Sequence, residues 1–195
     1  MSAAVSGTVS PGFETVAEAF RASFSSSMPE RSELYWRALT LERFLDQPSA
    51  VVLSGDFLPD ALHDRYRAVI GSLRERIARS GLDEVASIRT QGDCHPGNII
   101  WTRDDGPWLV DFDDCQSAPA AQDLWMMLAG SRHEREMQLC ELLDGYETFT
   151  DFDRRELALI EPLRALRMVH YAGWLAVRWQ DPAFPMHFPW FNTPA

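Results

Sequence analysis

Lysine is absent from this chain: all 18 of its basic residues are arginine, so it offers no phosphate-binding lysine. Cysteine is scarce, and Cys94, Cys115 and Cys140 are an odd number at spacings that match no zinc or disulfide framework. A reducing, cytoplasmic setting is the natural reading. Positive charge is outweighed, 18 basic against 29 acidic residues, for a net charge of −11. That balance argues against nucleic acid and anionic membranes as partners, because both need a basic surface. No stretch approaches the ~18 apolar residues of a membrane span, and the N-terminus lacks the basic and continuous apolar regions of a secretion signal. Histidine is thin as well: His63, His133, His170 and His187 are scattered rather than set at ligand spacing. No repeats are visible.

What is there suits one globular domain with a sizeable core, at 195 residues and 46% hydrophobic. Residues 1–30 are expected to be flexible or atypical, small and polar at first, with a short amphipathic helix over Glu14 to Phe24. Leu39 to Leu45 reads as a helical turn or two ending before Pro48. Pro59 starts a helix that runs at helical spacing through Leu62, Tyr66, Val69, Ile70, Leu73 and Ile77 and is capped by Gly81, a core element expected beneath the loop that follows. Val85 to Arg89 reads as a strand. Later helices are expected over Ala118 to Leu128, over Glu134 to Phe149, and from a cap at Asp153 to Trp179, with Pro162 kinking or dividing the last. The tryptophans read mostly as core residues. The fold class is mainly α, with one small β-hairpin.

That hairpin carries the chemistry. Two apolar runs, Ile99 to Trp101 and Trp108 to Val110, flank a turn rich in Asp, Gly and Pro. Asn98 enters the first strand and Asp111 leaves the second, so both can face one another at the open end. Two hard oxygen ligands suit Mg²⁺, which fills its remaining positions with water and substrate phosphates. Asp93, on an irregular loop containing Pro96 and Gly97, is free to point at a substrate hydroxyl, the base position of kinase-like catalytic loops. Asp113 is either a second metal ligand or a loop brace; Asp114 reads as structural. Gly92 allows the sharp turn before Asp93.

Gly92-Asp93-Cys94-His95-Pro96-Gly97-Asn98 followed by Val110-Asp111-Phe112-Asp113-Asp114 resembles the signature of the aminoglycoside phosphotransferase and choline kinase superfamily. Within it, the bacterial stress response kinase A family, a Ser/Thr protein kinase group, is the nearer match. Gln122-Asp123-Leu124-Trp125-Met126, Ile160 to Ala165, Asp181 to Pro185 and Phe188-Pro189-Trp190 share that likeness, which runs from about Tyr35 to the last residue. The resemblance implies the C-terminal lobe of a protein-kinase-like fold, with ATP as co-substrate, Mg²⁺ as cofactor and a protein bearing a Ser or Thr acceptor as partner. It makes His95 a loop residue that orients backbone and Asp123 a carboxylate that hydrogen-bonds the catalytic loop. Where the family usually has His, this chain has Gln91, a support for the loop.

The family also carries an N-terminal lobe that clamps the nucleotide. Residues 31–195 are therefore expected to form a C-terminal lobe clipped at both ends, monomeric when intact, with apolar surface exposed under the hairpin and around the hinge. Three alternatives stay open: an inactive kinase-fold fragment that acts by binding, a kinase for small alcohols such as aminoglycosides or choline, and a metal-dependent hydrolase with His95, Asp93 and Asp111 as ligands. Cys94 and Cys115 flank the site, where they are either redox-responsive or buried and inert.

Overall fold

The computed structural model describes residues 37–103 and 106–191. The helix expected over Glu14 to Phe24 and the tip of the hairpin turn lie outside the described residues. The fold is mainly helical. In chain order the elements are β1 (Arg37–Ala38), α1 (Gln47–Ser54), α2 (Asp60–Ala78), β2 (Ile88–Thr90), β3 (Ile99–Thr102), β4 (Gly106–Leu109), β5 (Gln116–Ala118), α3 (Ala121–Met126), α4 (Arg132–Glu147), α5 (Ile160–Arg178) and α6 (Ala183–His187). Tight 3-10 turns cover Leu82–Glu84, Pro96–Asn98 and Arg154–Leu159, and a wider π-helical segment covers Glu42–Asp46. These residues group into two compact units, of which one gathers 89–116 with 122–154 and the other 37–88, 117–121 and 155–191.

The second unit is helical, built on α1, α2 and α5. Phe44, Leu45, Ile77 and Leu166 form a buried cluster, with Leu39, Ile70, Leu73 and Val169 packed against it. Gly173 lets α5 meet α1 closely, since a Cβ there would stand 2.5 Å from the Cβ of Pro48. Asp46 and Arg74 pair at the surface of this unit. Phe44 stacks on His170 with ring centroids 4.4 Å apart. Nearer the C-terminus, Phe57, Trp179 and Phe191 meet in one aromatic group.

Several expectations change here for physical reasons. Pro48 does not end a helix; it sits in the first turn of α1, where its missing N–H costs nothing. The stretch from Asp153 to Trp179 is divided as expected, into a 3-10 turn over Arg154–Leu159 and α5 from Ile160, with Pro162 tolerated in the first turn of α5. The α2 helix begins after Pro59 as expected, but ends at Ala78, three residues short of Gly81. Its share of the core is narrower than expected: Ile77 is fully buried and Ile70 and Leu73 pack partly buried against that cluster, while Leu62 and Val69 are 42% and 57% exposed. None of the six described tryptophans is buried, and Trp101, Trp108 and Trp190 are exposed.

The first unit holds the hairpin. β3 and β4 pair antiparallel in the register Ile99 with Leu109, Ile100 with Trp108 and Thr102 with Gly106. Ile99 and Leu109 face inward and are buried, whereas Ile100 and Trp108 are exposed, as alternation along a half-buried strand requires; Trp101, on the face of Ile99, is exposed as well. α4 starts with a capping box: the Ser131 hydroxyl accepts from the Glu134 N–H, and the Glu134 carboxylate accepts from the Ser131 N–H. Leu142 and Leu143 anchor α4, with Met137 left exposed.

Candidate active site

The loop from Thr90 to Asn98 is held by a buried polar bracket. Asp123, 3% exposed at the start of α3, accepts the main-chain N–H of Gln91 at 2.7 Å and of Gly92 at 2.9 Å. The neighbouring Gln122 donates from Nε2 to the Gly92 carbonyl at 3.1 Å, and Thr90 donates its hydroxyl to the Gln116 carbonyl at 2.9 Å. Three buried polar side chains thereby spend their hydrogen bonds on one short loop and its strand, which is how burial of such groups is made tolerable. Burial pushes the Asp123 carboxyl up to about 6, against the pull of its two N–H donors and with a smaller push from the charge of Asp93.

Gly92 has φ +86°, and a Cβ on it would lie 2.1 Å from the Asp114 carbonyl oxygen. The turn therefore needs glycine on two counts, backbone angle and space. It delivers Asp93, whose N–H donates to Gln91 Oε1 at 2.8 Å. The Asp93 side chain keeps 19% of its surface exposed, enough to reach a ligand from a braced main chain. Next along, His95 accepts the Gly97 N–H at Nδ1 (3.0 Å), so its proton sits on Nε2, 3.9 Å from an Asp93 carboxylate oxygen. His95 thus folds the Pro96–Asn98 turn and stands beside Asp93 without a hydrogen bond to it.

Asn98 is fixed from both ends. Its N–H donates to the His95 carbonyl (2.9 Å), its Nδ2 to the Asp93 carbonyl (3.0 Å), and its carbonyl accepts the Val110 N–H (3.0 Å). The last bond ties the entry of β3 to the exit of β4 and places Asn98 beside the segment bearing Asp111, as the hairpin reading expected. Asp111 is the one non-glycine residue with positive φ among those described, at +58°. Its carboxylate is exposed, as are those of Asp113 and Asp114, and the Cys115 N–H closes this turn on the Phe112 carbonyl at 3.1 Å.

Strain at a loop carboxylate, a half-buried aspartate on a braced loop, and an asparagine joining the two define a site able to orient a hydroxyl and to present hard oxygen donors to a divalent cation. Asn98 spends its amide nitrogen on Asp93, which leaves Oδ1 as its donor atom. Among the described residues, no three His, Cys, Asp or Glu side chains gather into a metal cage, so His95, Asp93 and Asp111 do not assemble the hydrolase-type set.

The sequence alone assigns no role to Gln122, Gln116 or Thr90. Their signal was polarity inside apolar surroundings: a glutamine directly before Asp123 and Leu124 must be bonded if buried.

Fold and site together define a kinase-like phosphotransferase lobe, and the chain belongs to the Phosphotransferase enzyme family, whose pattern matches residues 14–160. It is 42% identical over 152 residues to stress response kinase A of Escherichia coli K12, covering 78% of this chain and 46% of that protein. The same identity and coverage relate it to the serine/threonine protein kinase RdoA of Salmonella typhimurium. The chain thus spans about half the length of these relatives. In fold it is similar to spectinomycin phosphotransferase solved with ADP and spectinomycin, with a TM-score of 0.61, 14% identity, and coverage of 92% of this chain and 59% of that one. The AMP-bound form of that enzyme gives 0.62 at 15% identity, covering 92% and 60%. No helix of the described residues is long and apolar enough to cross a membrane.

Proposed function

We propose that this chain supplies the catalytic and metal-binding lobe of an ATP- and Mg²⁺-dependent kinase that phosphorylates Ser or Thr hydroxyls of a protein. The observation that carries the reading is the doubly braced Asp93: its own N–H is held by Gln91, and its carbonyl by Asn98. Such bracing fixes where the carboxylate can receive a proton. Asp93 orients the acceptor hydroxyl for in-line attack on the γ-phosphorus and takes its proton as the bond forms, the positioning being the larger part of the effect. Asn98 Oδ1 and the Asp111 carboxylate would hold Mg²⁺, with Asp113 able to offer a further oxygen on the same turn. When bound, the ion neutralises charge on the nucleotide phosphates. Nucleotide use is supported by the ADP and AMP named for the structural neighbour, and protein as acceptor by the names of the sequence relatives. Three free cysteines suit a reducing cytoplasm.

The test is transfer of labelled γ-phosphate from Mg²⁺-ATP to a Ser/Thr protein and to an aminocyclitol. It is run on this chain alone and on the chain joined to the N-terminal half of the Escherichia coli relative. Transfer to protein that disappears in Asp93→Asn supports the reading. Transfer to the aminocyclitol alone moves the acceptor to small alcohols, and no transfer in either form refutes the proposal.

A further inference from the structure

α2 has more helically spaced surface than the core takes up. Its inner row, His63, Tyr66, Ile70, Leu73 and Ile77, is half-buried or buried, and Ile70 and Leu73 pack on the cluster that holds Ile77. A second row, Leu62, Arg65, Val69, Ser72 and Arg76, stands one residue ahead of the first at every step. It therefore lies about 100° round the helix, and every member of it is exposed.

Charge on α2 is sorted in the same way. The acids Asp60, Asp64 and Glu75 lie on a third face, and Arg67, Arg74 and Arg79 pair with Asp64, Asp46 and Glu75. Among the described residues, Arg65 and Arg76 of the exposed row have no ion pair. In a chain of net charge −11 carboxylates are plentiful, yet none of those described reaches these two guanidinium groups.

We propose that the exposed row of α2 docks an acidic amphipathic helix of a partner protein. Alternating steps of three and four residues form the seam along which helices pack side by side, so the occupant is a helix. Arg65 and Arg76 stand eleven residues apart, about 16 Å along the axis, and ask for two carboxylates at that separation. Apolar side chains between and beyond those carboxylates would cover Val69 and Leu62. Burial of the two apolar residues supplies attraction, and the arginines select the partner and its register. A nucleic acid suits the row less well, because it gains nothing from Leu62 and Val69 and needs more than two cations. A bilayer suits it less well too, since an interfacial helix gives its wide apolar face to lipid and that of α2 is taken up by the core. The chain's own negative charge does not forbid an acidic partner. At physiological salt, charges beyond about 8 Å are largely screened, whereas pairs in contact are screened far less.

The probe is a labelled synthetic helix with two glutamates eleven residues apart and leucines between them, titrated with the full chain by fluorescence anisotropy. A second helix carries lysine in place of both glutamates. Two double variants separate the contributions, Arg65→Glu with Arg76→Glu for charge and Leu62→Ala with Val69→Ala for burial. All four side chains are exposed, and circular dichroism confirms that each variant folds.

We expect the parent to bind the acidic helix at least ~10-fold more tightly than the lysine helix, and the charge variant to reverse that preference. The burial variant should bind the acidic helix about 5- to 10-fold more weakly with the preference retained. Equal binding of both helices by the parent, or an unchanged preference in the charge variant, overturns the proposal. Parental affinity in the burial variant also overturns it, by reducing the row to diffuse charge attraction. Two further measurements test other occupants. Tighter binding to phosphatidylserine vesicles or to an RNA duplex than to the acidic helix overturns the proposal. So does self-association of the parent, by sedimentation equilibrium, that the charge variant abolishes, since the row would then belong to a second copy of the chain.

Discussion

Asp123 accepts two consecutive main-chain N–H groups, those of Gln91 and Gly92, from a position almost wholly out of water. Burial raises its folded-state carboxyl from the ordinary value to about 6. The sign of the linkage follows. Between roughly pH 4 and 6 the folded chain holds a proton on Asp123 that the unfolded chain has released, so this group's contribution to stability falls as pH rises through that window and is flat above it. Asp123→Asn removes the titration and leaves one of the two N–H groups facing an NH₂ group, at a cost of roughly 1–3 kcal/mol. The variant's deficit relative to the parent should therefore be larger near pH 4.5 than near pH 7.5. Urea unfolding at both values measures it, and a deficit that grows with pH would contradict the buried-carboxyl account.

Gly92 gives a second prediction, with its own internal control. Gly92→Ala must place a methyl 2.1 Å from the Asp114 carbonyl oxygen at φ +86°, which shifts the loop or unfolds it. Gly106 has a similar φ, +79°, yet nothing lies within 4 Å of its notional Cβ. Gly106→Ala should cost only about 1–2 kcal/mol, the penalty of left-handed backbone, and Gly92→Ala well above that. Comparing denaturation midpoints of the two variants tests whether close approach adds to the angle. Equal costs would show that the angle alone matters.

The hairpin was legible because two short apolar runs on either side of an Asp-Gly-Pro turn leave little else to form, and the register places Asn98 beside Val110 as that pattern required. The misreadings share one cause: periodicity reports which face of a segment is apolar, not what covers it. Leu62, Tyr66, Val69 and Ile70 have helical spacing, but of the residues assigned to the core face of α2 only Ile77 is fully covered. Pro48 lies one residue inside α1, where proline is tolerated rather than terminating, and the division expected at Pro162 falls two residues ahead of it, at Ile160. The bracket of Gln91, Gln116, Gln122 and Asp123 was legible only in part, because a hydrogen bond between residues 30 or so positions apart leaves no local trace in the sequence.

The thiols make a third prediction. Cys94 is buried, and burial, followed by the charges of Asp123 and Asp93, pushes its thiol far above the usual range. Cys115 is pushed up to about 11, again mainly by burial and then by Asp123. The thiolate is the reactive form, so neither cysteine is primed for redox control. Cys140 is exposed on α4. Iodoacetamide at pH 8 followed by mass spectrometry should label Cys140 first, Cys115 more slowly and Cys94 only after unfolding. Early labelling of Cys94 would revive redox control at the catalytic loop.

Ser131 gives a fourth. Its hydroxyl caps α4 by accepting the Glu134 N–H, and the Glu134 carboxylate reciprocates. Ser131→Ala should cost about 1 kcal/mol, with exchange accelerated at the Glu134 amide and little changed at Leu142 and Leu143. Loss spread evenly along α4 would mean that the cap holds the whole helix rather than its first turn.

Asp111 combines a left-handed backbone with an exposed carboxylate. Its φ of +58° costs an ordinary side chain about 1–2 kcal/mol, less for Asp or Asn, whose short polar groups tolerate this region, and nothing for glycine. Asp113 two residues on has no such angle. Glycine there only loosens the unfolded chain and should destabilise by about 0.5–1 kcal/mol. Asp111→Gly should therefore be neutral or slightly stabilising, Asp111→Asn close to the parent, and Asp111→Ala the least stable of the set. If the carboxylate holds Mg²⁺, all three should lose nucleotide-dependent transfer whatever their stability. Stability and transfer must then move independently across this series, the pattern of a residue kept for its chemistry against the preference of its backbone. If Asp111→Ala matches Asp111→Gly in unfolding free energy, the strain is not real. If Asp111→Asn retains parental transfer, the metal lies elsewhere on the turn, with Asp113 the first carboxylate to examine.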